Sequence, residues 1–142
     1  MARVKIKFPE KTHFSTDYLV SVSDLNFGNH VGNDRFLGLC HEARVRFFKS
    51  LGQDELNFYE SSLIMADAEL SYKAQSFHGD NLKIEISVLE NSKNSFDLLY
   101  RIKNQNNDLV LLAKTAMVYF DYKNNKIDSC PESWAKELAQ LR

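Results

Sequence analysis

The stretch Val22-Ser23-Asp24-Leu25-Asn26-Phe27-Gly28-Asn29-His30-Val31-Gly32-Asn33-Asp34, with the helical pattern that follows it to about Leu51, decides how this chain is read. It gathers polar residues able to do chemistry and leads into the most apolar helical pattern of the sequence. A strand ends here and a buried helix begins. Gly28 and Gly32 tolerate turn dihedrals and the asparagines offer local hydrogen bonds, so residues 24–32 read as a loop. Asn33 is expected to cap the helix, with Asp34 in the first turn, where a carboxylate meets the positive end of the dipole. Phe36, Cys40, Ala43, Phe47 and Leu51 then recur at helical spacing, widened by Leu37, Leu39 and Phe48, and Gly52 is a natural stop. At about 1.5 Å per residue this helix is roughly 28 Å long. Its polar residues Arg35, His41, Glu42, Arg44, Arg46 and Lys49 do not share one narrow face, so part of the polar side must meet something other than bulk core.

Upstream, residues 14–23 alternate, with Phe14, Thr16, Tyr18, Val20 and Val22 on one face, which is the period of a half-buried strand. Downstream, four further strands are expected. Residues 63–73 put Ile64, Ala66, Ala68, Leu70 and Tyr72 on one face; Leu82, Ile84, Ile86 and Val88 alternate with Lys83, Glu85 and Ser87; Phe96, Leu98, Tyr100 and Ile102 repeat the pattern. Asn-rich turns at 91–94 and 104–108 have hairpin composition, so the sheet is expected to be antiparallel. Residues 109–122 are apolar on both faces, the pattern of a central strand covered by the helix on one side and by something else, such as a partner subunit, on the other. Ser129 and Glu132 form a possible capping box around Pro131, and Trp134, Leu138 and Leu141 mark a closing amphipathic helix.

The chain has 142 residues, 44% hydrophobic and 26% charged, which fits one domain spanning residues 1–142 with a substantial core. With 18 Lys plus Arg against 19 Asp plus Glu, its formal net charge of -1 gives no field for nucleic acid or an anionic membrane, and neither partner is expected. Cys40 and Cys130 make no metal-ligand spacing, so no metal or other cofactor is expected, and a reducing, cytoplasmic setting fits best. No signal-peptide core and no run of bilayer-spanning length is present in the sequence.

One strand, one long apolar helix and four strands, with the helix in the concave face of a curved sheet, resemble the hotdog fold: an α+β domain whose antiparallel sheet of about five strands wraps a central helix. Within it, Asp24-Leu25-Asn26-Phe27-Gly28-Asn29-His30-Val31-Gly32-Asn33 followed by Glu42-Ala43-Arg44 resembles the signature of the 4-hydroxybenzoyl-CoA thioesterase-like and acyl-ACP thioesterase families. Tyr72-Lys73-Ala74 and His78-Gly79-Asp80 resemble a second family segment without its proline. The resemblance spans about residues 14–122. It implies hydrolysis of an acyl thioester of CoA or acyl carrier protein, in a homodimer or homotetramer whose sites form between subunits. One departure matters: where the family usually has its second acid, this chain has Asn26, and an amide neither takes a proton nor attacks a thioester under ordinary conditions.

Thioester hydrolysis requires a polarised carbonyl and an activated nucleophile. The helix start offers free backbone N–H groups, so the amide near Asn33 is a candidate oxyanion donor. His30, beside it, is a candidate base with a side chain suited to proton transfer near neutrality; the competing reading is an ordinary loop histidine. Glu42 is the second candidate base, against an ion pair with Arg46 or Arg35. Asn26 is expected to orient water or the carbonyl, and Asp24, also a candidate for substrate contact, to orient the loop or cap a turn. Phe27, Gly32, Phe36 and Tyr72 are candidates for substrate contact, with core packing as the alternative for the aromatics. Lys73, Lys114 or Lys123 could meet CoA phosphates. Two rivals stay open: a non-catalytic acyl-thioester-binding module, favoured by Asn26, and a hotdog dehydratase or hydratase.

Overall fold

The computed structural model describes residues 2–141; Met1 and Arg142, the outermost residues of the expected domain, lie outside the described residues. The elements are β1 (Phe14–Leu19), α1 (Asn33–Ser50), β2 (Ser62–Tyr72), β3 (Asn81–Ser92), β4 (Ser95–Lys103), β5 (Leu109–Asp121), β6 (Lys126–Ile127) and α2 (Glu132–Leu141). The sheet runs in the order β1-β3-β4-β5-β2, with β6 paired to β5, and every pairing is antiparallel. This is the expected hotdog arrangement, with the short β6 as a sixth strand.

The concave face carries Phe14, Leu82, Ile84, Ile86, Leu98, Tyr100, Ile102, Leu111 and Ala113, which join Phe36, Leu39, Cys40, Ala43, Phe47 and Phe48 of α1 in one apolar cluster. Burial of each large member contributes about 1.5–3 kcal/mol, so the helix is held by packing and not by propensity. Trp134 and Leu138 of α2 plug the end of the sheet. The indole sits among Phe58, Tyr59 and Phe96, with ring centroids 4.8, 5.5 and 5.4 Å away.

Three local expectations change. The first strand stops at Leu19, and Val22–Asp24 form a single 3-10 turn; the Asp24 carboxylate accepts the Ser21 N–H at 2.9 Å and folds the chain before the alternation can continue. Val22 is consequently 74% exposed. The helix is capped by the extended Gly32 and not by Asn33, which is already its first helical residue. In β2 the alternation changes phase at a bulge between Met65 and Asp67. Before it Leu63 faces the core opposite Tyr119, whereas Ala68 and Leu70 do so after it, opposite Thr115 and Ala113. An extra residue in one strand has this effect because side chains alternate with period two.

Part of the convex face is covered by the chain's own N-terminal segment. Phe8 lies over the Arg101 guanidinium at 4.2 Å, and Arg101 grips Glu85 with two 3.0 Å bonds. The Ser87 hydroxyl donates to the Lys11 carbonyl at 2.7 Å, and the Val88 N–H donates to His13 Nδ1 at 2.8 Å. Such contacts explain why Glu85, Ser87 and Leu99 are buried on a face that the alternation marks as polar.

The helix also sends a cation into the core. Arg44 of α1 is 5% exposed; its Nη1 donates to the Tyr100 hydroxyl at 3.1 Å, which shares a 2.8 Å hydrogen bond with Thr115, and its Nε pairs with Glu55. The link between α1 and β2 is thereby pinned to the centre of the sheet. Burial pushes the neighbouring Cys40 thiol up to about 12, against the pull of Arg44, so this cysteine packs as a small apolar group. No helix among the described residues is long and apolar enough to cross a membrane.

Candidate active site

The loop before α1 is a closed structure. The Asn26 N–H donates to the His30 carbonyl at 2.8 Å, the Gly32 N–H to the Asp24 carbonyl at 3.3 Å, and Leu25 bridges Val31. From outside, the Val31 N–H donates to the Ser76 carbonyl at 2.8 Å. Asn29 turns the tip with a φ of 63°, a left-handed conformation that asparagine tolerates better than most residues.

Asp24 anchors this loop from beneath. Its side chain is fully buried and accepts the Tyr18 hydroxyl at 3.0 Å, the Ser21 N–H at 2.9 Å and Arg35 Nε at 2.7 Å. Burial alone would raise its pKa, but the Ser21 amide, Arg35 and Tyr18 together hold it below the usual carboxylate value. Asp24 therefore stays ionised and has no free lone pair facing the solvent; its place in the loop is that of a tie.

Asn26 and His30 lie above this anchor, facing Gly28. Asn26 Oδ1 accepts the Gly28 N–H at 2.9 Å, which leaves its amide N–H groups without a partner among the described residues. His30 Nδ1 lies 3.1 Å from the Val31 carbonyl. A carbonyl only accepts, so in the neutral ring Nδ1 carries the proton and Nε2 keeps its lone pair. Nε2 and Asn26 Oδ1 both border the bare face of Gly28, at 3.2 and 3.4 Å from where a Cβ would stand. A donor amide and an acceptor imidazole thus stand side by side at the loop surface.

A hollow of about 330 Å³ opens at the helix start, lined by His30, Val31, Asn33, Phe36, Tyr72, Lys73, Ala74 and Gln75. The Phe36 and Tyr72 rings form two of its walls, with centroids 6.0 Å apart and planes at 59°. The Tyr72 hydroxyl donates to the Asn33 carbonyl at 2.8 Å. Burial and the nearby Asp34 and Cys40 push that phenol up, so it remains a donor.

The structure thus brings His30, Asn33 and Tyr72 together at one hollow, with Asn26 and Gly32 in the adjoining loop. Phe27 is fully exposed in this loop and is not among the residues lining the hollow. Glu42 lies on an exposed part of α1, where its carboxylate accepts Arg46 Nε at 2.8 Å; Arg46 also donates to Thr16 Oγ1 and the Asp17 carbonyl. A larger hollow of about 540 Å³ lies between the C-terminal end of α1 and residues 53–57. Both of its carboxylates are engaged: Glu55 is paired with Arg44, and Asp54 caps the Leu56 and Asn57 amides.

A sequence model of the thioesterase-like superfamily matches residues 20–138, which include the loop, the helix and every strand of the site. The chain belongs to the thioesterase-like superfamily. Among characterised relatives, this thioesterase-like chain is 29% identical over 98 residues to a 1,4-dihydroxy-2-naphthoyl-CoA hydrolase of Crocosphaera subtropica, covering 67% of this chain and 72% of that one. It is also 29% identical over 126 residues to the Microcystis aeruginosa protein of the same name, covering 87% and 91%. The crystal structure of a 1,4-dihydroxy-2-naphthoyl-CoA thioesterase from Synechocystis superposes with a TM-score of 0.82 at 23% identity, over 90% of this chain and 96% of that one.

Sequence reasoning overlooked two contributors to the site of this superfamily member. Gln75 enters the hollow from the segment after β2, where no periodic signal marks it. Asp34 was read only as a dipole partner, although its carboxylate folds back over Gly32.

Proposed function

We propose that this thioesterase acts on an aromatic acyl-CoA, releasing the carboxylic acid and free CoA. The observation that carries this reading is the hollow at the helix start, where the Phe36 and Tyr72 rings line one space together with His30, Asn33, Lys73 and Gln75, so that apolar ring surface and polar side chains meet. The acyl group lies in the hollow against the Tyr72 ring, with its carbonyl at the N-terminus of α1. There the backbone amides near Asn33 take up the negative charge that develops on the oxygen. The Asn26 amide donates to the attacking water, and His30 Nε2 accepts from it. Of the two bases expected from sequence, Glu42 is held by Arg46, whereas His30 Nε2 is free in the neutral ring. Lys73 at the rim suits the CoA phosphates better than Lys114, which is tied to Asp67 at 2.7 Å.

A second copy of the chain completes the assembly, as a homodimer or homotetramer. Among the described residues β2 pairs with no strand but β5, so beyond Leu63, whose N–H donates to the Glu55 carbonyl, its other edge is open, and Phe27 stands fully exposed in the loop before α1. The free cysteines Cys40 and Cys130 suit a reducing cytoplasm.

A panel of aromatic and straight-chain acyl-CoAs with free-thiol detection tests the reading. Faster turnover of the aromatic thioesters supports it, and preference for long straight chains refutes the aromatic assignment. Tight binding without thiol release would instead select the non-catalytic module, the reading favoured by the amide at position 26.

A further inference from the structure

Three carboxylates lie on or just beyond the loop and the first half of α1. Asp24 is buried beneath Tyr18, Ser21 and Arg35, and Glu42 is held by Arg46. The third, Asp34, is exposed in the first turn of α1, and no described residue hydrogen-bonds to it or forms an ion pair with it. Its position depends on Gly32. A Cβ at Gly32 would stand 2.5 Å from Asp34 Oδ1 and 3.5 Å from Asn26 Cβ, so carboxylate and asparagine flank the same bare Cα. Asn26 therefore has His30 on its Gly28 side and Asp34 on its Gly32 side.

We infer that Asp34 is the catalytic base of this thioesterase, a carboxylate supplied from the first helical turn to the place where Asn26 has none. The inference rests on the hydrolase reading above and moves its proton acceptance from His30 Nε2 to Asp34, leaving His30 to hold the water. Water held by Asn26 and His30 gives one proton to the Asp34 carboxylate as its oxygen forms a bond to the thioester carbon. The C–O electron pair moves onto the carbonyl oxygen, facing the helix-start amides. When the carbonyl re-forms, the C–S bond breaks and the electron pair leaves on sulfur. The thiolate then takes the proton held by Asp34, giving the acid and the free thiol. His30 remains neutral throughout and positions the water. This division of labour uses the one of the three carboxylates with no hydrogen bond or ion pair to any described residue; Asp24 is buried and Glu42 is held by Arg46.

The competing role for Asp34 is a dipole contact at the helix start, which any first-turn carboxylate makes. Asp34→Asn and the double variant Asn26→Asp/Asp34→Asn separate the two, assayed with the acyl-CoA that the parent hydrolyses fastest. Asp34→Asn is expected to lower kcat about 100-fold, the lower end of general-base effects, with KM within about threefold. Restoring a carboxylate at position 26 is expected to recover at least about tenfold of that loss, although it does nothing for the first turn of the helix. Parent-like kcat in Asp34→Asn overturns the assignment, and so does a loss that Asn26→Asp leaves uncorrected. A parent protein that hydrolyses no acyl-CoA refutes the hydrolase reading itself, a result separate from either.

Discussion

The Tyr72 hydroxyl donates to the Asn33 main-chain carbonyl across 2.8 Å, joining the end of edge strand β2 to the first residue of α1. One side chain therefore serves as a wall of the hollow and as a tie on the helix start. Tyr72→Phe keeps the wall and removes the tie. A neutral hydrogen bond contributes about 0.5–1.5 kcal/mol, and this half-exposed one belongs at the lower end. Urea unfolding should show a loss below about 1 kcal/mol, with kcat falling severalfold because the oxyanion donors are less firmly placed. An unchanged kcat would separate Tyr72 from the chemistry.

Asp24 has an acid signature. Its folded pKa lies below its ordinary value, so the unfolded chain binds the proton more readily. The stability this provides is fully present above about pH 4, the ordinary carboxylate range, and is lost as pH falls through the lower folded value. Asp24→Asn removes the charge-assisted bond to Arg35 and should cost about 1.5–3 kcal/mol at pH 7. The gap between the parent and variant unfolding curves should close as pH falls through the lowered folded value of Asp24; a gap that stays constant throughout the acid range would mean that the carboxylate charge is not what the loop uses.

Arg44 is the most costly side chain to truncate. Arg44→Ala leaves Glu55 without its closest cation and the buried Tyr100 hydroxyl without its donor, in addition to a cavity beside Cys40. Removing one member of a buried pair typically costs about 3–5 kcal/mol, a large share of a domain's total stability. A melting temperature within a few degrees of the parent would contradict this account.

Glu42→Gln should do little. The Glu42–Arg46 pair is exposed and spaced i,i+4, where such pairs contribute about 0.3–0.5 kcal/mol. Turnover within about threefold of the parent is expected; a loss of about 100-fold with intact folding would place Glu42 in the reaction.

The long helix was legible because its apolar residues repeat over five turns, and a signal of that length fixes both type and extent. β2 was legible as a strand but not in phase, since a bulge near Ala66 moves the inward parity by one residue and leaves no mark in composition. Burial of Glu85 and Ser87 was out of reach for another reason. Their cover comes from Lys11 and Thr12, more than seventy positions away, and local alternation does not encode such a contact. Motif and spacing marked His30, Asn33 and Tyr72, and the fold brings these three to one hollow. The approach of Asp34 to Asn26 was not so marked, because it depends on what Gly32 lacks.

Trp134 is the only tryptophan of the chain, and it is packed against Phe58, Tyr59 and Phe96 at the end of β5 opposite the Tyr72 hollow. Its emission is therefore a built-in optical gauge of one event, the docking of α2. Acyl-CoA titrations should leave that signal unchanged, whereas a red shift on mild denaturation would time the release of the C-terminal helix.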